Sequence, residues 1–434
     1  MTEQLETLFR EKTITLAQAA AMVQDGDRVF AGVCTSMANA LCDALADRAG
    51  ELKHLEVCGA MLPGEFPLLD NPDFTVNTYF MGAKERECYQ AGRADFTSVH
   101  LSQVDRWCLE TAPADVAFLE VSLPDEEGYM SFGASGVALH TYIQRSAKRI
   151  VLQINTNAPY VFGEHNLIHI SQADAVVWAD RPLAENPGIP VDETIQTISK
   201  HIIEQIPDGA CIQLGLGGVA NAVGYGLKDR NDLGAHSELM TDSIMELMKL
   251  GVINNSRKTW HPGKTVASFT FGSEELYRFI DHNSQMYYMP FTHVNDPVNI
   301  ARNDNMISVN TALSIDLFGQ VNADNFAGRQ YSATGGQVDF VRGAQMSRGG
   351  KSFIAVTSTV QSRKGGRSSR IVSRFPAGTV VTTPRSDVQY VVTEYGCVDL
   401  KPLCMRDRTR ALISLAHPDF RPQLTDEARE LGML

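Results

Sequence analysis

At 434 residues the chain is long enough for two or three domains, and 44% apolar with 21% charged side chains is the balance of an ordinary folded protein. The 51 acidic against 38 basic residues give 38 − 51 = −13 at pH 7, which repels nucleic acid and anionic lipid, so any anionic ligand has to be held locally. The eight cysteines form no Cys-x-x-Cys pair and no His/Cys group of zinc spacing, which excludes a disulfide framework and a metal knuckle and leaves buried reduced thiols as the expectation.

The N-terminal MTEQLETLFREK carries acids and no signal-peptide core, and no run approaches the ~20 apolar residues of a membrane span, so a reducing cytoplasm is the expected compartment. Residues 14–24, ITLAQAAAMVQ, predict a helix opened by a Thr15-x-x-Gln18 capping box and stopped by Asp25-Gly26. A short strand RVFAG, a glycine-containing loop and a second helix then follow. The same order returns about 180 residues later, a period of domain size. VDETIQTISKHIIEQI predicts the helix, Asp208-Gly209 the turn and ACIQLG the strand. Ala220-Asn221-Ala222 repeats Ala38-Asn39-Ala40, and Asp229-Arg230 repeats Asp47-Arg48. Further apolar runs (DVAFLEV, RIVLQIN, AVVWA, SFIAVTS, YVVTEYG) alternate with helical stretches, which predicts an α/β fold with mostly parallel sheets. The Pro- and Gly-broken stretch 179–190 divides a first domain, 1–185, from a second, 186–434. Two related α/β domains usually hold their ligand between them.

Gly215-Leu216-Gly217-Gly218-Val219-Ala220 fits G-x-G-x-x-A between a strand and a helix, with Glu238 about 20 residues on, where a dinucleotide-binding fold carries its ribose acid. Physically the loop offers backbone N–H groups and a helix N-terminus to a polyanion or a thioester, or it is simply a tight turn; the ligand stays open. The first copy, GVCTSM, lacks G-x-G and gives NAD no support. Three other patterns are decoys. Arg348-Gly349-Gly350-Lys351-Ser352 ends like a Walker loop but has Gln345 where the first glycine belongs, His165 and His169 lack a third metal ligand, and Gly133-Ala134-Ser135-Gly136 lacks nucleophile-elbow spacing. The segment Leu233-Gly234-Ala235-His236-Ser237-Glu238-Leu239-Met240-Thr241-Asp242 sits between the glycine loop and the helical pattern DSIMELMKLG, an element end from which an acid can point into a cleft.

Several stretches, in order, resemble the acetyl-CoA hydrolase/transferase family, the family I CoA-transferases, in its 4-hydroxybutyrate and butyrate branch. They include GLGGVANAV (215–223), LGAHSELMTD (233–242), 295–324, GGQVDFVRGAQMSRGGKSF (335–353), VTEYGCVDL (392–400) and LISLAHPDFRPQL (412–424). The resemblance implies two α/β domains with the active site between them and Glu238 as a catalytic nucleophile. It also implies CoA contacts at Gly215, Leu216, Gly217, Gly218, Val219, Leu313, Gly336 and Lys364. Residues 359–364 run about two residues longer than the family pattern, and 400–410 (LKPLCMRDRTR) depart from it. The implied reaction is ping-pong transfer of CoA through a glutamyl-CoA thioester to a small carboxylate: 4-hydroxybutyrate, butyrate, acetate, or a dicarboxylate such as succinate or itaconate. A dicarboxylate would need a further cation, for which Arg363, Lys364, Arg367 and Arg370 are candidates. CoA enters as substrate and no permanent cofactor, metal, nucleic acid or membrane partner is implied; a homodimer is compatible. An acyl-CoA hydrolase, an NAD-linked oxidoreductase and a non-catalytic CoA-binding regulator are the alternatives.

Overall fold

The computed structural model describes residues 2–186, 188, 190–326, 328–361 and 365–434. Its contacts divide into two compact units. The first contains Met1–Pro187, Glu238–Asp242 and Val266–Val294; the second contains Gly188–Ser237, Ser243–Thr265 and Asn295–Leu434. Residues 238–242 and 266–294, which the reading of the sequence left in the second half, pack within the first unit.

The first unit is built on an eight-stranded sheet. Its main path runs Ala175–Trp178, Arg149–Ile154, Val116–Val121, Arg28–Val33, Glu56–Ala60, Thr75–Thr78, Ala94–Phe96, parallel throughout, with Ser36–Met37 folded antiparallel onto Arg28–Val33. Strand 116–121 is buried at every position, as a sheet covered on both faces requires. The chain lays strands outward from Arg28–Val33 in one direction and from Val116–Val121 in the other, so these two flank the switch point, where the crevice of an open parallel sheet lies.

In the second unit six strands run Gly234–Ala235, Cys211–Leu214, Met306–Thr311, Lys351–Ala355, Tyr390–Thr393, Gly396–Asp399, parallel except for the last pair. Its switch point lies between Cys211–Leu214 and Met306–Thr311. The repeated helix-strand-loop-helix is present in both units: Leu16–Ala20, Arg28–Val33 and Asn39–Ala46 in the first, Glu193–Ile203, Cys211–Leu214 and Gly218–Gly226 in the second. The Thr15/Gln18 capping box forms, satisfying backbone donors that the first turn leaves open.

All eight cysteines are free; six are buried, whereas Cys397 is half-buried and Cys404 is exposed at the start of helix Met405–Leu415. Among the described residues no helix is long and apolar enough to cross a membrane.

The two copies of the repeat treat their second helix differently. In the first, Gln153 Oε1 accepts the N–H groups of Ala40 and Leu41 at 3.0 and 3.2 Å, so a side chain of the sheet closes the helix N-terminus. Gln153 Nε2 and Asn155 Nδ2 donate in turn to Glu120 Oε2, and Glu120 Oε1 has no partner among the described residues. Burial pushes the Glu120 carboxyl up to about 8 against these two donors, so it is held neutral. A folded-state value above the unfolded one means stability that is fully present below the unfolded value near 4.3 and is lost as pH rises through about 8. Glu120→Gln keeps the shape of the protonated acid without its titration. Thermal melts between pH 5 and about pH 9 should therefore show a smaller alkaline loss in Glu120→Gln than in the parent; identical profiles would remove Glu120 from the account.

Candidate active site

Glu238 follows strand Gly234–Ala235, and four residues before it already explain much of the motif that contains it. His236 N–H donates to Ile212 O, and its buried ring packs against Trp260 and Phe340, with centroids 5.3 and 6.0 Å away. Ala235 N–H donates to Asn255 Oδ1 at 2.9 Å. The buried Lys258 ammonium donates to Ala235 O at 2.8 Å and Lys264 O at 2.7 Å, and burial pulls it down to about 8. Its stem fills the place of a side chain at 234: a Cβ there would lie 2.4 Å from Lys258 Cγ, which is why the motif needs glycine.

From Glu238 onward the segment belongs to the first unit. Leu239–Met240 pairs in parallel with Phe269–Thr270, and the Glu238 carbonyl accepts the N–H groups of Ser268 and Phe269 at 3.0 and 2.9 Å. Thr270 is fixed in its turn. The hydroxyls of Thr35 and Ser135 lie 2.6 Å apart and 3.2 and 3.0 Å from Thr270 O, so the pair shares its two protons between that carbonyl and each other. Thr35, Ser135, Ser268 and Thr270 are all buried. Thr35 leaves strand Arg28–Val33 at its carboxyl end, and the half-buried Glu238 is thereby docked at the switch point of the first sheet. Ser135, in a stretch dismissed from the sequence for lacking nucleophile-elbow spacing, is a tie in this network.

Other residues gather on the same edge. Cys34 and Met61, at the ends of neighbouring strands, hold left-handed backbone with φ of 47° and 52°, a cost tolerated where a chain has to aim a side chain. The Cys34 thiol is raised by burial to about 12 and stays protonated. Glu85 is fully buried, accepts the N–H groups of Leu62 and Gly82, and is raised by burial to about 7. Tyr79 follows strand Thr75–Thr78, with its ring against Trp107 at 5.1 Å and Phe291 at 6.4 Å.

The glycine loop lies at the switch point of the second sheet. Gly215 N–H donates to Val309 O, continuing the Cys211–Leu214/Met306–Thr311 pairing, and a Cβ at 215 would meet Val309 O at 3.3 Å and Asn310 Oδ1 at 3.4 Å. Gly217 has φ +118° with open space around it, Leu216 is exposed, and no side chain caps the helix that begins at Gly218. Where Gln153 closes the first copy, the second keeps its N–H groups and positive helix end available. Val219 is buried inside that helix. Leu313 and Gly336 join the same edge: Leu313 follows strand Met306–Thr311, and Gly336 caps helix Gln337–Met346, whose Gln337 Nε2 donates to Thr311 O at 2.9 Å.

Lys364, with Ser362 and Arg363, lies outside the described residues. Among the described residues, Thr359–Gln361 pairs antiparallel with Arg367–Ser369. Arg367 is committed to Asp419 at 2.5 Å and His417 at 2.8 Å. Arg370 is partly buried with its backbone held by Ser358 and Ile315, and burial lowers it against the field of Glu394. Sequence reasoning missed the Thr35–Ser135–Thr270 tie, Lys258 and Tyr79, because each acts through a partner distant in the chain.

Residues 2–185 match the acetyl-CoA hydrolase/transferase N-terminal domain and residues 272–428 the C-terminal domain of the same family. The chain is 40% identical to a succinyl-CoA:cyclohexane-1-carboxylate CoA transferase of Geobacter metallireducens, over 99% of this chain and 98% of that one. It is 38% identical to a 4-hydroxybutyrate coenzyme A transferase of Clostridium kluyveri, over 98% and 99%. Among solved structures, RipA from Yersinia pestis superposes with a TM-score of 0.92 at 36% identity, covering 99% of this chain and 100% of that one. Over nearly its whole length, the chain belongs to the acetyl-CoA hydrolase/transferase family.

Proposed function

We propose that the protein is a CoA-transferase that moves CoA from an acyl-CoA to a free carboxylate through a thioester on Glu238. The observation that carries this reading is the anchoring of Glu238: a half-buried carboxylate on a strand whose partner, Phe269–Thr270, is held by buried hydroxyls at a sheet switch point. The full-length likeness to CoA-transferases supports the same activity.

The chemistry follows from the carboxylate. Glu238 attacks the thioester carbonyl and expels CoA thiolate, leaving a mixed anhydride. The thiolate then attacks the glutamyl carbonyl, releasing the first acid and leaving CoA on Glu238. The incoming carboxylate repeats the two steps in reverse and regenerates the glutamate. The N–H groups at the uncapped start of helix Gly218–Gly226 suit a phosphate of CoA. The tie at Thr270 fixes the direction of attack, where a misplacement of about 1 Å can cost ~10²-fold. The acceptor is a small monocarboxylate such as butyrate or 4-hydroxybutyrate. A hydrolase on this scaffold, as in the 25%-identical acetyl-CoA hydrolase of Kluyveromyces lactis, would differ in letting water reach the thioester.

Incubation with acyl-CoA and no acceptor should raise the intact mass by one CoA, traceable by digestion to the Glu238 peptide alone and absent in Glu238→Ala. Glu238→Asp should lose about 10²-fold in transfer while still binding CoA. An unlabelled wild-type protein, or Glu238→Ala with wild-type transfer, would remove the nucleophile.

CoA at a hundredfold excess over Kd should stabilise the fold by about 2.7 kcal/mol, and NAD should not. Gly217→Ala forces a side chain onto φ +118° and should weaken that CoA effect at a stability cost of about 1–3 kcal/mol; stabilisation by NAD alone would instead favour a dinucleotide site.

A further inference from the structure

Gln213 and Asn310 stand near the carboxyl ends of Cys211–Leu214 and Met306–Thr311, the two strands that flank the switch point of the second sheet. Gln213 is 1% exposed and Asn310 9%. Asn310 Nδ2 donates to Gln213 Oε1 at 3.3 Å, and neither side chain makes another hydrogen bond among the described residues. Gln213 Nε2 is thus an open donor and Asn310 Oδ1 an open acceptor. Exchanging nitrogen and oxygen in both amides leaves the same pair, one NH2 and one C=O. A sealed atom without a partner does occur beside them, at Ser308 Oγ on the register partner of Gln213, but the two amide atoms are not sealed in this way. Buried amides in folded proteins are almost always satisfied, and a donor and an acceptor left open together at a ligand crevice suit a visitor that brings the complement of both.

Both open atoms border the bare Cα of Gly215: a Cβ there would lie 3.4 Å from Asn310 Oδ1 and 3.8 Å from Gln213 Nε2. A larger residue would cover them. In one direction the loop runs from Gly215 to the uncapped helix start at Gly218. In the other, Leu214 O accepts the hydroxyl of Ser237 at 3.4 Å, and the residue after Ser237 is Glu238. Of the groups that CoA carries, the phosphates suit the helix start, whereas the pantetheine arm is uncharged and holds two amides, each with one C=O and one N–H. A carboxylate or a thioester oxygen would meet the donor alone and set its lone pairs against Asn310 Oδ1. An amide satisfies both.

We propose that Gln213 and Asn310 bind the pantetheine amide nearer the thiol, Gln213 donating to its carbonyl and Asn310 accepting its N–H. This amide stands two methylenes from the sulfur, as Gly215 stands beside the strand that leads into Glu238. The proposal rests on Glu238 carrying CoA, and it makes the pair a binding element that orients the thioester without reacting.

Two analogues of butyryl-CoA test it in the full-length enzyme with acetate as acceptor: in one an ester replaces the amide nearer the sulfur, in the other the farther amide, each keeping the carbonyl and losing the N–H. For the first, kcat/KM should fall about tenfold, the scale of a buried acceptor left unpaired, and for the second it should stay near that of butyryl-CoA. The double variant Gln213→Met/Asn310→Leu removes both open atoms together with the bond that joins them and keeps the volume. It should lose about tenfold on butyryl-CoA and no longer distinguish the first analogue from it. Equal rates of the wild-type enzyme on butyryl-CoA and the first analogue, or equal losses with both analogues, would overturn the proposal even if the double variant failed to fold. A loss on the first analogue that persists in the folded double variant would overturn it as well, because another group would then read the amide. A wild-type enzyme that transfers nothing from butyryl-CoA itself would defeat the underlying reading, a result distinct from an active enzyme indifferent to the ester.

Discussion

The carbonyl of Thr270 is the acceptor on which the backbone geometry at Glu238 depends. Its two hydroxyl partners, Thr35 and Ser135, come from the loop after the first strand of the repeat and from a short helical turn more than 90 residues further on. Both are fully buried, so neither can exchange the carbonyl for water without cost. Through the parallel pairing of Leu239–Met240 with Phe269–Thr270, the constraint passes to the backbone of Glu238. The two hydroxyls therefore set where a carboxylate stands that neither of them touches in the chain.

The two units use the same topological position for different ends. Each has a switch point beside the first strand of its repeat, and each follows that strand with a loop and a helix. In the first unit the helix N-terminus is closed by Gln153, itself braced by the neutral Glu120, and the loop carries Thr35 toward Thr270. In the second the loop is glycine-rich, its helix has no side-chain cap, and Gly217 adopts a backbone that only glycine holds without strain.

Much of this was legible in the sequence because it is local. The capping box at Thr15, the Asp-Gly turns, the repeated strand-loop-helix and the apolar strands follow from patterns within a few residues, and the structure contains them. Gly215, Leu313 and Gly336, which the family resemblance offers as CoA contacts, stand on one edge because Cys211–Leu214 and Met306–Thr311 pair in parallel. What was not legible is long-range. No periodicity announces that 238–242 and 266–294 pack with the first half, because the pairing of Leu239 with Phe269 is decided by register between strands only two residues long. The need for glycine at 234 is equally silent until Lys258 is seen to fill the space.

The central claim is that Glu238 exchanges oxygen with its substrates by way of mixed anhydrides. Multiple turnovers with an acceptor carboxylate labelled in both oxygens with oxygen-18, in unlabelled water, test it most directly, because regenerating the glutamate from the second anhydride leaves one substrate oxygen on its side chain. The account predicts heavy oxygen in the peptide containing Glu238 and in no other. Rapid product formation with that peptide unlabelled would contradict it.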